Sequence, residues 1–219
     1  MAEILYFTRT YAVGMYIMDR VSAYPAVHNA ANALSIYVNP PSALEVLHGK
    51  SAAPYYDIER VALHFNTALL PDDAIITDVK LRIKQVNNST TNVVGIVQNG
   101  QPDYPSNPAV VGDFLYSHYS GDGGQFGPYG TAGYKLIQFS EEGMGWINKE
   151  GVTKIVLRCK ADADNDGLAD GDMTAPTRNN YAAWFYNDTS QAAQLQVTYE
   201  LPPSSFDYEL YPVIFPLRT

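Results

Sequence analysis

Apolar and polar side chains alternate with period two along much of the chain. In residues 60–66, RVALHFN, Val61, Leu63 and Phe65 fall on one side, with Arg60 and His64 on the other. In ITDVKLRIKQV, Val79, Leu81 and Ile83 alternate with Lys80, Arg82 and Lys84. TKIVLRC repeats the pattern with Ile155, Leu157 and Cys159, and QLQVTYE with Leu195, Val197 and Tyr199. YAAWFYN and NVVGIVQ are shorter candidates, and LSIYVN reads as a strand ended by Pro40 and Pro41. Each run offers one buried and one wet face, as antiparallel sheets do, and several of them in one chain predict an all-β sandwich.

Helical pattern is scarce. Residues 140–149, SEEGMGWINK, allow one short helix, with Ser140 as cap and Glu141 and Glu142 in the first turn. Residues 99–133 are rich in Gly, Pro, Tyr and Ser and weakly patterned, so they read as a long loop that is functional or lies against a neighbour. The tail, LPPSSFDYELYPVIFPLRT, leaves the last strand through a Pro pair and then stays apolar, which suits packing against another subunit better than free chain. Folding back on its own domain is the other account of that tail. The organisation expected is an N-terminal extension or first strands (1–32), a sandwich (33–200) and an extended C-terminal arm (201–219).

Composition narrows the function classes. The net charge of −9 and the lack of any basic run argue against nucleic acid as a partner. No apolar run approaches the roughly 18 residues a membrane span requires. The N-terminus, MAEILYFTRTYAVGMYIMDR, has no basic leader followed by an apolar stretch and cleavage site, so assembly in the cytoplasm is expected. One cysteine, Cys159, allows no internal disulfide; its place on the apolar side of its strand predicts a core residue. The sequons at Asn87, Asn88 and Asn187 have no meaning without secretion.

Candidate chemistry is sparse. In DADNDGLADGD, residues 162–172, Asp162, Asp164 and Asp166 stand at the first, third and fifth positions of a calcium-loop pattern. Gly167 permits the turn, Leu168 would offer a carbonyl, and Asp170 takes the ninth position. Asp172 falls one short of the twelfth, where Met173 stands. Ca2+ is therefore the expected cofactor, as a brace for the loop, against a plain solvated acidic turn. His28, His48, His64 and His118 are scattered, and His64 reads as exposed on the wet side of its strand. No nucleophile–base spacing, phosphate loop or metalloprotease motif occurs, and Glu141 and Glu142 diverge on a helix, so no enzyme is expected. The 17 tyrosines outnumber other aromatics, a bias shared by interfaces, sugar-binding surfaces and β-sheets. Tyr55, Tyr56, Tyr104, Tyr116, Tyr119, Tyr129, Tyr134 and Phe126 crowd the irregular segments. Tyr116 and Tyr119, with Tyr208, Tyr211 and Phe215 of the tail, are the candidate interface residues.

The stretch YYDIERVALHFNTALLPDDAIITDVKLRI resembles the signature of DNRLRE-type β-sandwich domains. These occur in tailed-phage structural proteins and bacterial surface carbohydrate-binding modules. Arg60, Phe65, Thr67, Leu70, Pro71, Ala74, Ile76 and Leu81 fall into the pattern, and Asn66 replaces its usual Asp. VTKIVLRCKADADND, APT and YAAWFYNDTSQAAQLQVTYE resemble the closing strands, with Ala193 or Gln194 where Pro is common. The resemblance spans about residues 33–200. It implies a jelly-roll-like antiparallel sandwich and a non-enzymatic virion component, such as a capsid decoration or a head or tail-fibre protein. Such a component would assemble with identical subunits or other virion proteins. A carbohydrate-binding module for cell-surface or host-glycan attachment is the alternative.

Overall fold

Strand β1 (Glu3–Asp19) belongs to both halves of the molecule. Its first residues, Glu3 to Thr8, pair with β11 (Gln194–Glu200), and from Arg9 onward it pairs with β4 (Tyr55–Asn66). The register shifts between Arg9 and Tyr11, and such an irregularity lets one strand turn the corner between two sheets. This computed structural model describes residues 2–19, 24–39, 43–51, 55–85, 94–127, 131–166, 181–186 and 190–203.

On one side, β11 pairs with β5 (Ile75–Gln85), which carries β8 (Gly133–Gln138). On the other, β4 is flanked along its opposite edge by β9 (Val152–Cys159) and β3 (Ala43–Ser51). Next to β9 come β6 (Gly95–Gln98) and then β7 (Gln125–Phe126). β3 pairs with β10 (Tyr181–Tyr186), which meets β5 through the single pair Phe185–Gln85 and nearly closes the sheet. The short β2 (Ser35–Val38) pairs with β1 at one extremity of the strand order. All pairings are antiparallel, and the fold is all-β and sandwich-like, as the alternation predicted. Residues 3–19 are thus a first strand rather than a free extension.

The inward sides of these strands build the main core. Val61, Leu63 and Phe65 of β4 meet Val79, Leu81, Ile83, Ile155, Leu157, Leu195 and Val197. Cys159 is buried there too, as its position predicted. Among the described residues there are three single-turn α-helices: α1 (Tyr24–His28), α2 (Glu141–Met144) and α3 (Lys160–Ala163). α2 is the helix expected from the sequence, and the Ser140 hydroxyl accepts the Gly143 N–H at 3.0 Å.

The wet face expected of β4 does not exist. Ile58, Arg60, Ala62 and His64 are buried against Tyr11, Val13, Met15, Tyr24, Phe114 and Tyr119 in a second core. The cover comes from α1 and from the long segment 99–127, which lies across the outer side of β1, β4 and β9 as a strap. His64, expected to be exposed, is 0% accessible. Alternation distinguishes the two sides of a strand; it does not reveal that a distant loop roofs the polar one.

Candidate functional site

The second core holds a charged centre. Where β9 ends, the single turn of α3 brings Asp162 back beneath Arg158, four residues earlier. Asp162 Oδ2 accepts from Arg60 Nε and Arg158 Nε, each at 2.8 Å. Its Oδ1 accepts from Arg60 Nη2 at 2.8 Å and lies 3.0 Å from His28 Nδ1. The Tyr24 hydroxyl stands 3.1 Å from the same nitrogen. Arg60 also donates to the carbonyls of Phe114 and His28, and Arg158 to Gln98 Oε1 at 2.6 Å. The Phe114 ring lies 4.1 Å from the Arg60 guanidinium. Burial alone would push the Asp162 carboxyl up, but Arg60 and then Arg158 hold it well below the usual range. Both guanidinium groups are sealed from water and their donors face acceptors, so the centre works as a clamp joining β4, β9, α1, α3 and the strap.

This placement bears on the acidic loop. Both Asp162 oxygens are engaged by arginines, which removes the first ligand of the calcium pattern. Asp164 pairs with Lys160. Leu168, Asp170 and Asp172 lie outside the described residues, and among the described residues no group of three His, Cys, Asp or Glu side chains is placed to hold a metal ion.

The tyrosines of the irregular segments, among the described residues, do not form an exposed strip. Tyr119, expected at an interface with another chain, is instead buried within its own, where its hydroxyl donates to the Asp113 carbonyl at 2.7 Å. Tyr116 is half-buried, 4.2 Å from the His28 ring and 4.9 Å from the Arg158 guanidinium. Tyr104 stacks on His118 at 3.4 Å, and Tyr56 and Phe126 are buried. Among the described side chains of that set Tyr134 is the exposed one, under Arg82 at 3.6 Å. Tyr129, Tyr208, Tyr211 and Phe215 lie outside the described residues. His28, Gln98 and Phe114 carried no signal in the sequence, since each joins the clamp only through tertiary packing.

Two surface features stand out among the described residues. The first is β2 with the residue before it, where Leu34, Tyr37 and Val38 are exposed. Val110 and Val111 stand beside it, also exposed, because the Ala33 N–H donates to the Val111 carbonyl at 2.8 Å. The second is a cleft of about 500 Å³ between the start of the strap, the chain following α2, and the first residues of β9. Trp146 and Lys154 line it. The Trp146 ring sits where a Cβ on Gly123 would be 2.1 Å away, so the close approach of strap and indole requires glycine there.

No known family model matches the chain, and no curated protein matches it.

Proposed function

We propose that the protein is a non-enzymatic structural component of a virion that assembles with neighbouring chains through its exposed β2 edge. The observation that carries the assembly reading is the apolar margin formed by Leu34, Tyr37 and Val38 with Val110 and Val111. Edge strands are ready templates for another chain, and monomers usually blunt them with charge or proline. No charged side chain occurs in LSIYV, residues 34–38. The virion setting draws on the resemblance of residues 33–200 to tailed-phage structural domains. The charged groups of the clamp support a non-enzymatic role, since Arg60, Arg158 and Asp162 are consumed in pairing with one another and are sealed from solvent.

Light scattering on the purified chain tests this. Self-association that is lost in a Tyr37→Lys, Val38→Lys variant of unchanged melting temperature is the expected result. A monodisperse monomer at all concentrations, which also fails to join any particle, would overturn it.

Glycan attachment remains a second reading, favoured by the outer face of β1, β11, β5 and β8. Exposed Tyr6 and Tyr134 flank Gln196, Gln194 and Gln138 there, the aromatic and amide groups that sugars stack on and bond to. A glycan array probed with and without calcium decides it, and a blank array removes it.

A further inference from the structure

The cleft beside Trp146 has an unusual balance of hydrogen-bonding groups. Each of its side-chain acceptors already receives a hydrogen bond. Asn99 Oδ1 receives the Gln101 backbone N–H at 2.9 Å and Gln101 Nε2 at 3.2 Å. Gln101 Oε1 receives the Lys154 backbone N–H at 3.1 Å, and Asn148 Oδ1 receives that of Glu150 at 3.0 Å. Two carbonyls on the wall are engaged as well: Trp146 accepts from Gln101 Nε2 at 2.9 Å and Pro102 from Lys154 Nζ at 3.0 Å.

The donors are not used up. An ammonium carries three N–H groups, and Lys154 directs one of them at Pro102. No carboxylate among the described residues pairs with it. Asn99 presents its amide N–H2 with no protein acceptor among the described residues, and the Asn148 amide reaches Val152 only at 3.4 Å. Three residues with donors to spare, one of them cationic, therefore line a cleft whose remaining walls, Pro102, Ile147 and Val152, are apolar. An ionised carboxylate is the ligand that complements this set, because it accepts and cannot donate. The volume of about 500 Å³ lies within the range of specific small-ligand sites, roughly 300–1,000 Å³.

We propose that this cleft is a carboxylate-binding site that receives an acidic side chain or a chain terminus from a neighbouring protein, with Lys154 as the charge partner, Asn99 and Asn148 as orienting donors, and the apolar wall holding the aliphatic stem. Its carboxylate chemistry follows from the cleft alone; that a protein supplies the group rests on the assembly reading above.

A Trp184→Phe variant leaves Trp146 as the single indole, so its fluorescence reports on the cleft. The probes are N-acetylglutamate N-methylamide for a side-chain carboxylate, N-acetylglycine for a terminal one, and N-acetylglutamine N-methylamide as the neutral control. Saturable change with one or both carboxylates, none with the amide, and affinity about tenfold or more weaker in Lys154→Gln are expected. Whichever carboxylate binds more tightly identifies the source. If the Trp184 variant does not fold, the side-chain amide resonances of Asn99 and Asn148 in the unaltered protein give the same readout. No saturable response up to about 50 mM, or an equal response to the neutral amide or in Lys154→Gln, would overturn the proposal. Light scattering separates the two readings. Carboxylate binding by a strictly monomeric chain sinks assembly and keeps the site, whereas assembly without carboxylate binding does the reverse.

Discussion

Arg60 and Asp162 lie 102 positions apart, yet two hydrogen bonds of 2.8 Å join them where neither side chain is more than 1% accessible. Arg60 falls in the stretch that resembles a sandwich signature, and Asp162 opens the calcium-like loop. The fold joins the two features into one buried clamp, which gives the arginine of that stretch a physical role. It ties the central strand to the turn after β9 and, through Phe114, to the strap.

Removing one member of a buried ion pair strands its partner, at a cost of about 3–5 kcal/mol. Asp162→Asn is therefore expected to lower stability by that order in urea unfolding. The cost should be the same in EGTA and in millimolar calcium, since the carboxylate serves two arginines. A loss that appears only in calcium and vanishes in EGTA would return Asp162 to the metal.

The acid side of the stability curve is expected to follow His64. Its ring is buried between Tyr11 of β1, Lys154 of β9 and Asp113 of the strap, and neither nitrogen has a partner. Burial, aided by Lys154 and opposed by Asp113, pulls its pKa from 6.5 to about 4. The folded state thus binds this proton less readily than the unfolded chain. Stability is fully present above about 6.5 and falls as pH drops toward 4, by about 1.4 kcal/mol per unit. His118 is shifted in the same direction, also by burial. His64→Leu should flatten this limb in urea unfolding at pH 7, 5.5 and 4.5; an unchanged slope would refute the assignment.

The alkaline side is expected to follow Glu59. Burial, reinforced by Glu45, pushes its carboxyl from 4.5 up to about 8. The folded state holds this proton where the unfolded chain has released it. Its contribution is fully present below about 4.5 and declines, by about 1.4 kcal/mol per unit, until pH passes 8. Glu59→Gln should therefore gain on the parent steadily from pH 5 to pH 8.5. Parallel stability curves for the two proteins would show that Glu59 is ionised in the fold.

Ser140→Ala removes the cap of α2 and a hydroxyl that donates to the Asp122 carbonyl at 2.5 Å. A loss of about 1–2 kcal/mol is expected in thermal melts. Because α2 leads directly into the wall of the Trp146 cleft, weaker carboxylate binding should accompany it.

Much of the scaffold was legible because it depends on local pattern. The inward side of β5, with Val79, Leu81 and Ile83, and that of β9, with Ile155, Leu157 and Cys159, are buried as alternation indicates. Lys80, Arg82 and Lys84 remain half-exposed on the other side of β5, as expected. The cap at Ser140 followed from residue type and spacing alone. For β4 the same rule failed on one side. Arg60 and His64 look wet in sequence, and nothing near them announces the cover supplied by residues 99–127.

The sequence by itself determined the β-rich class, the inward side of each principal strand and the one helix cap, since these arise from side chains only a few positions apart. Tertiary structure decided what the polar groups do. Whether Asp162 meets a metal or two arginines, whether Tyr119 faces a partner or its own core, and whether Lys154, Asn99 and Asn148 line one cleft all depend on chain segments tens of residues apart. Period-two alternation says which side a residue takes; burial and pairing belong to whatever the fold lays against that side.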